Sequence, residues 1–520
     1  MRSFWMVFLG LLVSCSPAAP PTGPDAAKAV IEESATAMGG WANIDAVKGQ
    51  EILTGGGDWE PMQAKAPTAD PLQVDIFGQT ILIDLEKNRV KVTNDGKRSY
   101  PAPGPVKFTE ILTPEAAMLQ TTAADGKVTS ERLHPSRLAT RLRDMNRLPI
   151  RVLKVAKAAP ELTRAADVTV GKKTYHVLKY KDSGLAVELH IDTFNKLPAR
   201  VIYTEDDPIY GDTQNELSYD DFKVVDSVRL PNVYVTFLNG KKIREERIRT
   251  LINNPKLDEA SFAIPDDVKA QPENGERIVS QWTLRRAAIG VGYQDFGRPQ
   301  TVKLDELAKG VYHVTGGTHH SLAVEMKDHV VVVELPLFDE RSAAVIKAIE
   351  EKIPGKPIRY GVITHYHIDH SGGLRGYAAK GVTLLAEESI VQFVKETLSM
   401  PHMVRPDSLA KAGGNKGAVE GVKQARELTD GERTIQLIAI PNGHADAMLA
   451  AYLPKEKLIF VSDLYTPGGA VAAGDANAVA FNAAIEKAKL SVDRVVGGHG
   501  GVGPYKDLAK AGAVPKAGSE

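Results

Sequence analysis

The side chains of this chain that are best suited to chemistry lie in one stretch, residues 364–373, which reads THYHIDHSGG. It places His365, His367, Asp369 and His370 within six positions. That spacing cannot put all four on one face of a helix or strand, so it predicts a loop that gathers them onto metal. Four donors exceed what one catalytic zinc ion takes from a single place. The pattern therefore favours two zinc-like ions over the alternative, a histidine-rich surface loop.

The elements around this stretch predict how further donors reach it. The apolar run Ile358–Ile363 directly before it indicates a buried strand. Sites in sheet proteins are assembled from loops at one edge, so donors that follow other strands are expected to converge there. Three later predicted strands are followed by such donors: Thr434–Ile440 by His444, Lys457–Val461 by Asp463, and Val495–Val496 by His499.

The spacing of His365, His367, Asp369 and His370 resembles the metal-binding motif of the metallo-β-lactamase superfamily, hydrolases that usually carry two zinc ions. The resemblance covers roughly residues 302–520 and implies an α/β fold, the αββα sandwich. It also implies a division of the donors between two ions. By this resemblance His365, His367 and His444 hold the first ion, Asp369, His370 and His499 hold the second, and Asp463 bridges them.

An aspartate at position 463 is similar to the glyoxalase II and lactonase branches of that superfamily, whereas many zinc β-lactamases carry cysteine or serine there. The implied reaction is attack by a metal-bound hydroxide on an ester-like carbonyl, because metal binding lowers the pKa of water to roughly 7. Asp369 is the predicted catalytic residue, which orients the nucleophile or moves its proton. A lactone or thioester substrate is favoured, and a β-lactam stays open.

Three further residues leave alternatives. Glu334 stands where the superfamily commonly has an aspartate, and it is either a partner of the metal ligands or a surface residue. The pair His319–His320 either approaches the site from an early loop or is solvated. Tyr465, beside Asp463, is a candidate for stabilising an oxyanion.

The first residues predict a targeting segment. Residues 1–14 combine an early arginine with an apolar run of signal-peptide length. Leu12–Cys15 resembles the lipobox of bacterial lipoproteins, in which the cysteine is lipidated. Cys15 is the only cysteine, which excludes a disulfide, and a buried structural cysteine is the alternative. Residues 15–24 then form a Pro-rich tether. Ser16 resembles lipoproteins of the outer membrane, so we expect a location there facing the periplasm.

Composition bounds the partners. The chain has 520 residues, 43% of them apolar, and a net charge of −1, as expected of a globular protein with two or more domains. It lacks the basic runs that a nucleic-acid partner requires. The expected partners are therefore a small-molecule substrate and, through Cys15, a membrane. The oligomeric state stays open.

Patterning divides the chain into a β-rich domain over 25–267, a linker over 268–300 and the hydrolase domain over 301–520. Hairpin turns at Gly171–Lys172 and Asn239–Gly240 predict a mainly antiparallel β domain after an N-terminal helix. This α+β pattern weakly resembles the half-barrels of periplasmic lipoprotein carriers. A second functional hypothesis follows, a binding or sorting lipoprotein whose metal domain is structural or inactive.

Overall fold

The structure is a computed structural model that describes residues 21–100, 103–123, 125–133, 135–272, 300–414 and 417–513. The predicted signal peptide, Cys15 and most of the predicted linker 268–300 lie outside the described residues. Among the helices that are described, none is both long enough and apolar enough to cross a membrane.

The described residues of the N-terminal region form one antiparallel sheet of fourteen strands, as the predicted hairpins indicated. The strands are β1 (Gly49–Glu60), β2 (Leu72–Asp84), β3 (Arg89–Arg98), β4 (Gly104–Leu112), β5 (Ala117–Thr122), β6 (Val128–Arg132), β7 (Thr163–Arg164), β8 (Val168–Val170), β9 (Lys173–Asp182), β10 (Leu185–Asp192), β11 (Pro198–Asp207), β12 (Gly211–Val225), β13 (Val228–Leu238) and β14 (Lys241–Asn253). Their order is β6-β5-β4-β3-β2-β1-β14-β13-β12-β11-β10-β9-β7, and β8 pairs with β9.

The first four helices of this region pack on one face of the sheet, and Val268 of the short last helix packs with Ile111 and Met118 on the other. The helices are α1 (Pro24–Met38), α2 (Trp41–Ala46), α3 (Pro135–Met145), α4 (Pro149–Ala158) and α5 (Asp266–Lys269), with a short 3-10 turn at Glu259–Phe262. Apolar residues at helical spacing, such as Ile31 of α1 and Leu153 of α4, are buried with strand residues such as Ile83 and Leu189 in one core. The predicted helix and the turns at Gly171–Lys172 and Asn239–Gly240 are thereby confirmed. The likeness to carrier half-barrels stays a prediction.

The C-terminal region has two further sheets. The seven-stranded sheet contains β15 (Lys303–Ala308), β16 (Val311–Thr315), β17 (Ser321–Glu325), β18 (Val330–Val333), β19 (Ile358–Val362), β20 (Thr383–Glu387) and β21 (Val419–Val422), in that order. The six-stranded sheet contains β22 (Ala425–Thr429), β23 (Thr434–Ala439), β24 (Leu449–Leu453), β25 (Leu458–Val461), β26 (Arg494–Gly497) and β27 (Val502–Pro504), also in order. The helices are α6 (Asp339–Lys352), α7 (Ile368–Ser371), α8 (Leu374–Ala379), α9 (Val391–Ser399), α10 (Ser408–Lys411), α11 (Ala476–Lys487) and α12 (Tyr505–Ala511), with a 3-10 turn at Glu388–Ile390.

The C-terminal region has four layers, a layer of helices outside each of two facing sheets, so the central strands are buried on both faces. In β18, Val331 and Val333 face the other sheet, whereas Val330 and Val332 pack with helices α6, α8 and α9. In the second sheet Phe460 faces inward, and its neighbours in β25 pack with α11 and α12. A strand that is buried on both faces reads as a continuous apolar run, which is the pattern of these strands. The predicted αββα sandwich is confirmed.

Strand direction brings the candidate donors to one edge. In the first sheet β18, β19 and β20 run parallel, and in the second β25 runs parallel to β26. Because β24 is antiparallel to both β23 and β25, those two strands point the same way. The carboxyl ends of β19, β23, β25 and β26 are therefore the points from which the predicted donors extend.

The two regions contact each other directly. Met62 and Ile209 of the N-terminal region are buried in the C-terminal apolar cluster beneath α6 and α8. At a second point the backbone N–H of Asp212 donates to the carbonyl of Pro401 at 2.7 Å. The neighbouring Gly211 has a φ of +67°, and a Cβ atom there would lie 2.1 Å from the same carbonyl oxygen. Gly211 therefore allows the two backbones to approach.

Replacing Gly211 by alanine should weaken this contact. Gly240 is the matched control, because its φ is +77° and a Cβ atom there would meet nothing within 4 Å. Gly240→Ala is expected to lower the free energy of unfolding by about 1 kcal/mol, the cost of the left-handed backbone. Gly211→Ala should add about 1–3 kcal/mol from the steric overlap. Urea midpoints measured on both variants test this, and equal midpoints would contradict it.

Candidate metal centre

Two of the four close-set donors sit on a single helical turn. After β19 the chain runs irregularly through His365 and His367, and α7 then carries Asp369 and His370. All three histidine rings of this stretch are fully buried, whereas the predicted alternative was a surface loop. The loop and the one-turn helix together face the donors that follow β23, β25 and β26.

The structure brings the seven predicted site residues together in two adjoining groups. The donor atoms of the first group, His365, His367, His444 and Asp463, all lie within 4.8 Å of one another. The second group, with the same maximum separation, consists of His370, His499 and a residue from outside the predicted set, His319.

The carboxylate of Asp463 lies between the groups. Its Oδ2 is 3.2 Å from Nε2 of His444 and 4.0 Å from Nε2 of His365, both in the first group. Its Oδ1 is 3.0 Å from Nε2 of His370 and 3.2 Å from Nε2 of His499, both in the second. One oxygen thus faces each group, which is the arrangement that a bridging carboxylate requires.

Asp369 belongs to the second group by contact. Its Oδ2 lies 3.2 Å from Nε2 of His319 and 3.5 Å from Nε2 of His370. Its Oδ1 accepts a hydrogen bond of 2.6 Å from Nε2 of Gln63. Both carboxylate oxygens are therefore held in fixed directions.

Glu334 supports the second group from behind. It is fully buried at the end of β18, so the alternative of a surface residue is wrong. Its carboxylate accepts hydrogen bonds from Nδ1 of His370, from the hydroxyl of Thr364 and, at 2.9 Å, from the hydroxyl of Ser462. A carboxylate behind a histidine ring fixes its tautomer and its orientation toward a metal. Glu334 also has a φ of 75°, a strained conformation of the kind found at functional sites.

The donor set fits a divalent metal. Nε2 of His365 and Nδ1 of His367 are buried and have no hydrogen-bond partner within the described part of the chain. A buried polar atom without a partner is costly, and a metal ion would satisfy both ring nitrogens. Imidazole nitrogen and carboxylate oxygen are ligands of zinc and of similar first-row metals.

Burial and neighbouring charges put His365, His367, Asp369 and Asp463 in the forms that bind metal. For His370 and His499, burial alone would lower the pKa, but the nearby Asp463 carboxylate raises it. Burial lowers the pKa of His365 well below its ordinary value and that of His367 to about 3, so both rings are neutral at pH 7. Burial alone would raise the pKa values of Asp369 and Asp463, but neighbouring histidines, His370 first among them, hold them well below their usual range. Neutral imidazole and ionised carboxylate are the ligand forms.

Access to the centre is one-sided. The rings of His365, His367 and His370 are fully buried, whereas 30% of the His499 side chain and 14% of the Asp463 side chain are exposed. The open side therefore lies over the second group, where a substrate can approach.

Three residues at the centre were missed or undervalued by sequence reasoning. The sequence left open whether His319 approaches the site or is solvated, and the structure places it in the second group. Gln63 and the Tyr100 hydroxyl, which is 3.2 Å from Nδ1 of His444, come from the N-terminal region and carry no motif that would have pointed to them. Tyr465, the predicted oxyanion candidate, is instead buried in the apolar cluster with Phe481 of α11.

A known family model matches the part of the chain that carries this centre. The family model described as the metallo-beta-lactamase superfamily matches residues 314–499. Among curated proteins, the alpha subunit of a 2,4-dinitroanisole O-demethylase from Nocardioides sp. (strain JS1661) is 22% identical over 158 residues. That match spans 30% of this chain and 44% of the relative, less than half its length.

Two solved structures with a limited similarity to this chain are named metallo-beta-lactamases. A metallo-beta-lactamase from Pontibacter korlensis is 18% identical, with a TM-score of 0.33, and the match covers 41% of this chain and 97% of that one. The metallo-beta-lactamase FIM-1 from Pseudomonas aeruginosa, in its mono-zinc form, is 17% identical with a TM-score of 0.32, over 41% of this chain and 95% of that one.

Glu334→Gln should weaken metal binding through His370, because the neutral amide is a poorer partner for the ring N–H than the carboxylate. Loss of such a partner typically costs 10–100-fold in metal affinity, and we expect about tenfold. Competition with a chromogenic chelator measures it. Glu325→Gln is the control. Glu325 ends the neighbouring strand β17, and its carboxylate pairs with Lys356. Equal affinities in the two variants would show that Glu334 does not support the metal ligands.

Proposed function

We propose that this chain, whose residues 314–499 form a metallo-β-lactamase superfamily domain, is a lipid-anchored hydrolase that cleaves an ester-like bond in a small molecule. In this proposal two zinc ions, or another first-row divalent metal, occupy the two donor groups. The placement of Asp463, with one oxygen toward each group, is the observation that most supports a shared two-metal site.

The protein residues would divide the work as follows. His365, His367 and His444 would hold one ion, Asp369, His370 and His499 would hold the other, and Asp463 would contact both. When bound, the metals lower the pKa of water to roughly 7 and polarise a substrate carbonyl. His319 lies in the same donor group as His370 and His499 and donates from Nε2 to Asp369.

Asp369 is the proposed catalytic carboxylate. It is ionised, its Oδ1 accepts from the Gln63 amide and its Oδ2 from Nε2 of His319, and Oδ2 keeps a second lone pair with which it can orient the attacking water or accept its proton. The ring of His319 beside Oδ2 is neutral, because burial lowers its pKa to about 3. A neutral donor there holds the carboxylate without neutralising its charge.

Asp463 and the net charge of the chain are the two features that favour one class of substrate over another. A bridging aspartate is what the lactonase and glyoxalase II resemblance implies, which favours a lactone or thioester and leaves a β-lactam second. A nucleic-acid phosphodiester is disfavoured, since a net charge of −1 supplies little attraction for a polyanion. The demethylase relative adds a nitroaryl methyl ether to the compounds worth assaying.

The alternative is a binding or sorting lipoprotein whose metal domain is structural or inactive. Seven converging donors favour the enzyme, and among them His365 and His367 each have a buried ring nitrogen that lacks a partner in the described chain. A structural zinc site closes its coordination with four protein ligands, whereas this centre stays open over His499. Metal content together with turnover separates the two hypotheses.

Purified protein is expected to carry about two zinc-like ions per chain and to hydrolyse a lactone or thioester. His444→Ala should lose mainly the first ion, and Asp463→Ala should loosen both. Elemental analysis checks the metal count. Less than one ion in protein never exposed to a chelator would contradict the dinuclear centre, and full metal without turnover across lactones, thioesters, β-lactams, phosphodiesters and a nitroaryl ether would favour the binding lipoprotein.

Within the same assay, Asp369→Asn should lose most of the rate, about 100-fold or more, because the amide cannot accept the proton. Asp328→Asn is the matched control, since Asp328 is exposed and pairs with Arg359. Circular dichroism confirms that both variants fold. Equal rates in the two variants would remove Asp369 from the mechanism, and turnover of β-lactams alone would overturn the argument from Asp463.

The proposed anchor is Cys15, with the chain in the outer membrane facing the periplasm. Acyl chains on this cysteine would bury methylenes at about 0.8 kcal/mol each, and more than one chain gives stable attachment. Cys15→Ser should therefore move the protein to the soluble fraction or block its processing, as cell fractionation would detect. Unchanged fractionation would refute the anchor, and retention at the inner membrane would refute only the sorting that Ser16 suggests.

A further inference from the structure

Three contacts from the N-terminal region reach side chains of the candidate metal centre. The Gln63 amide donates to Oδ1 of Asp369 at 2.6 Å, and Nε2 of His367 lies 3.1 Å from the carbonyl oxygen of Ala64. The Tyr100 hydroxyl lies 3.2 Å from Nδ1 of His444. All three partners come from, or directly follow, the strands β1 to β3.

The Ala64 carbonyl determines which nitrogen of His367 can bind metal. A carbonyl oxygen only accepts hydrogen bonds, so Nε2 of His367 carries the proton and donates it. The lone pair is then on Nδ1, which is the buried nitrogen without a hydrogen-bond partner in the described chain. A single backbone carbonyl from the other region therefore fixes the tautomer and turns the ligand nitrogen inward.

Tyr100 acts on His444 in the same way. With Nδ1 of His444 directed at the Tyr100 oxygen, the opposite nitrogen, Nε2, faces Asp463 at 3.2 Å. The two rings are nearly parallel, with an interplanar angle of 19° and centroids 6.0 Å apart. The hydroxyl holds one nitrogen and leaves the other for a metal.

The segment that carries Gln63 is held in place by the C-terminal domain. Met62 is buried in that domain's apolar cluster, and the Tyr366 hydroxyl donates to the Ala64 carbonyl. The backbone N–H of Asp446 donates to the carbonyl of Lys65 at 2.8 Å. Because Gln63 itself is 98% buried, its amide is a fixed donor to Asp369.

We infer that the N-terminal domain positions the ligands of the metal centre. Gln63, the Ala64 carbonyl and Tyr100 orient the side chains of Asp369, His367 and His444. This inference rests on the proposed metal-binding function and extends it to the role of the first domain. Gln63 and Tyr100 are positioning residues, since they act through Asp369 and His444. Metal affinity then depends on the docked N-terminal domain, which is more than a spacer between membrane and enzyme.

The placement also explains the one-sided access. The N-terminal contacts reach His367 and His444 of the first group and Asp369 of the second, all with buried side chains, whereas the exposed part of the centre lies at His499. A substrate therefore approaches a site whose closed wall belongs to another domain.

Two conservative variants of the full chain test the inference. Tyr100→Phe removes only the hydroxyl, and Gln63→Met removes the amide at nearly constant volume. Zinc affinity is measured by competition with a chromogenic chelator, and the visible absorption of the cobalt-loaded protein reports ligand geometry. Each variant is expected to bind zinc about tenfold more weakly, the lower end of the range for such partners, and to shift the cobalt bands.

Lys65→Ala is the control, because Lys65 lies two positions from Gln63. The variant keeps the hydrogen bond between the backbone carbonyl of residue 65 and the N–H of Asp446, and it loses only an exposed ion pair with the Asp446 side chain. It should match the unaltered protein. If the unaltered protein binds zinc and both variants keep its affinity within twofold with unchanged cobalt spectra, the inference is overturned and the proposed hydrolase stands. If the unaltered protein binds neither zinc nor cobalt, the metal centre and the inference fall together. Should Gln63→Met fail to fold, Tyr100→Phe decides alone.

Discussion

The carboxylate of Asp463 is the interaction on which the rest of the centre depends. A buried charge is costly unless it is paired, and this one is surrounded by His370, His444 and His499 at 3.0 to 3.2 Å. Those partners hold it ionised and directed at both donor groups. The histidines in turn are turned inward by groups behind them, Glu334 behind His370 among them. The metal-binding side chains are thus positioned by successive contacts, in which the Asp463 carboxylate contacts the histidines and other groups orient the histidine rings.

The αββα sandwich supplies the rigidity that these contacts need. Its central strands are buried on both faces, so a shift of any one of them would disrupt packing toward the helices and toward the opposite sheet at once. The donors extend from the carboxyl ends of strands held in this way. Loops of a few residues, such as the one between β25 and Asp463, then leave the donors little freedom. The fold therefore turns separate stretches of sequence into one site.

The N-terminal domain contributes to the same rigidity from outside the sandwich. Met62 and Ile209 are buried in the core of the other domain, and Gly211 allows a backbone hydrogen bond between the two. A domain that served only to tether the enzyme would not need to contact it in this way. They bring Gln63 and Tyr100 to the ligands, which gives the antiparallel sheet a role at the centre that its own composition does not suggest.

The resemblance to the superfamily implied the sandwich, and the sequence by itself predicted the donors and the strands that precede them. Those properties are local, because a doubly buried strand reads as an apolar run and each donor follows such a run within a few residues. Only the tertiary structure decided what surrounds the donors. Gln63 and Asp369 are 306 positions apart, and Tyr100 and His444 are 344 apart. No local pattern encodes a contact of that range. For the same reason the sequence left Glu334 and His319 undecided and offered Tyr465 only as a candidate, since burial and direction depend on packing between distant elements.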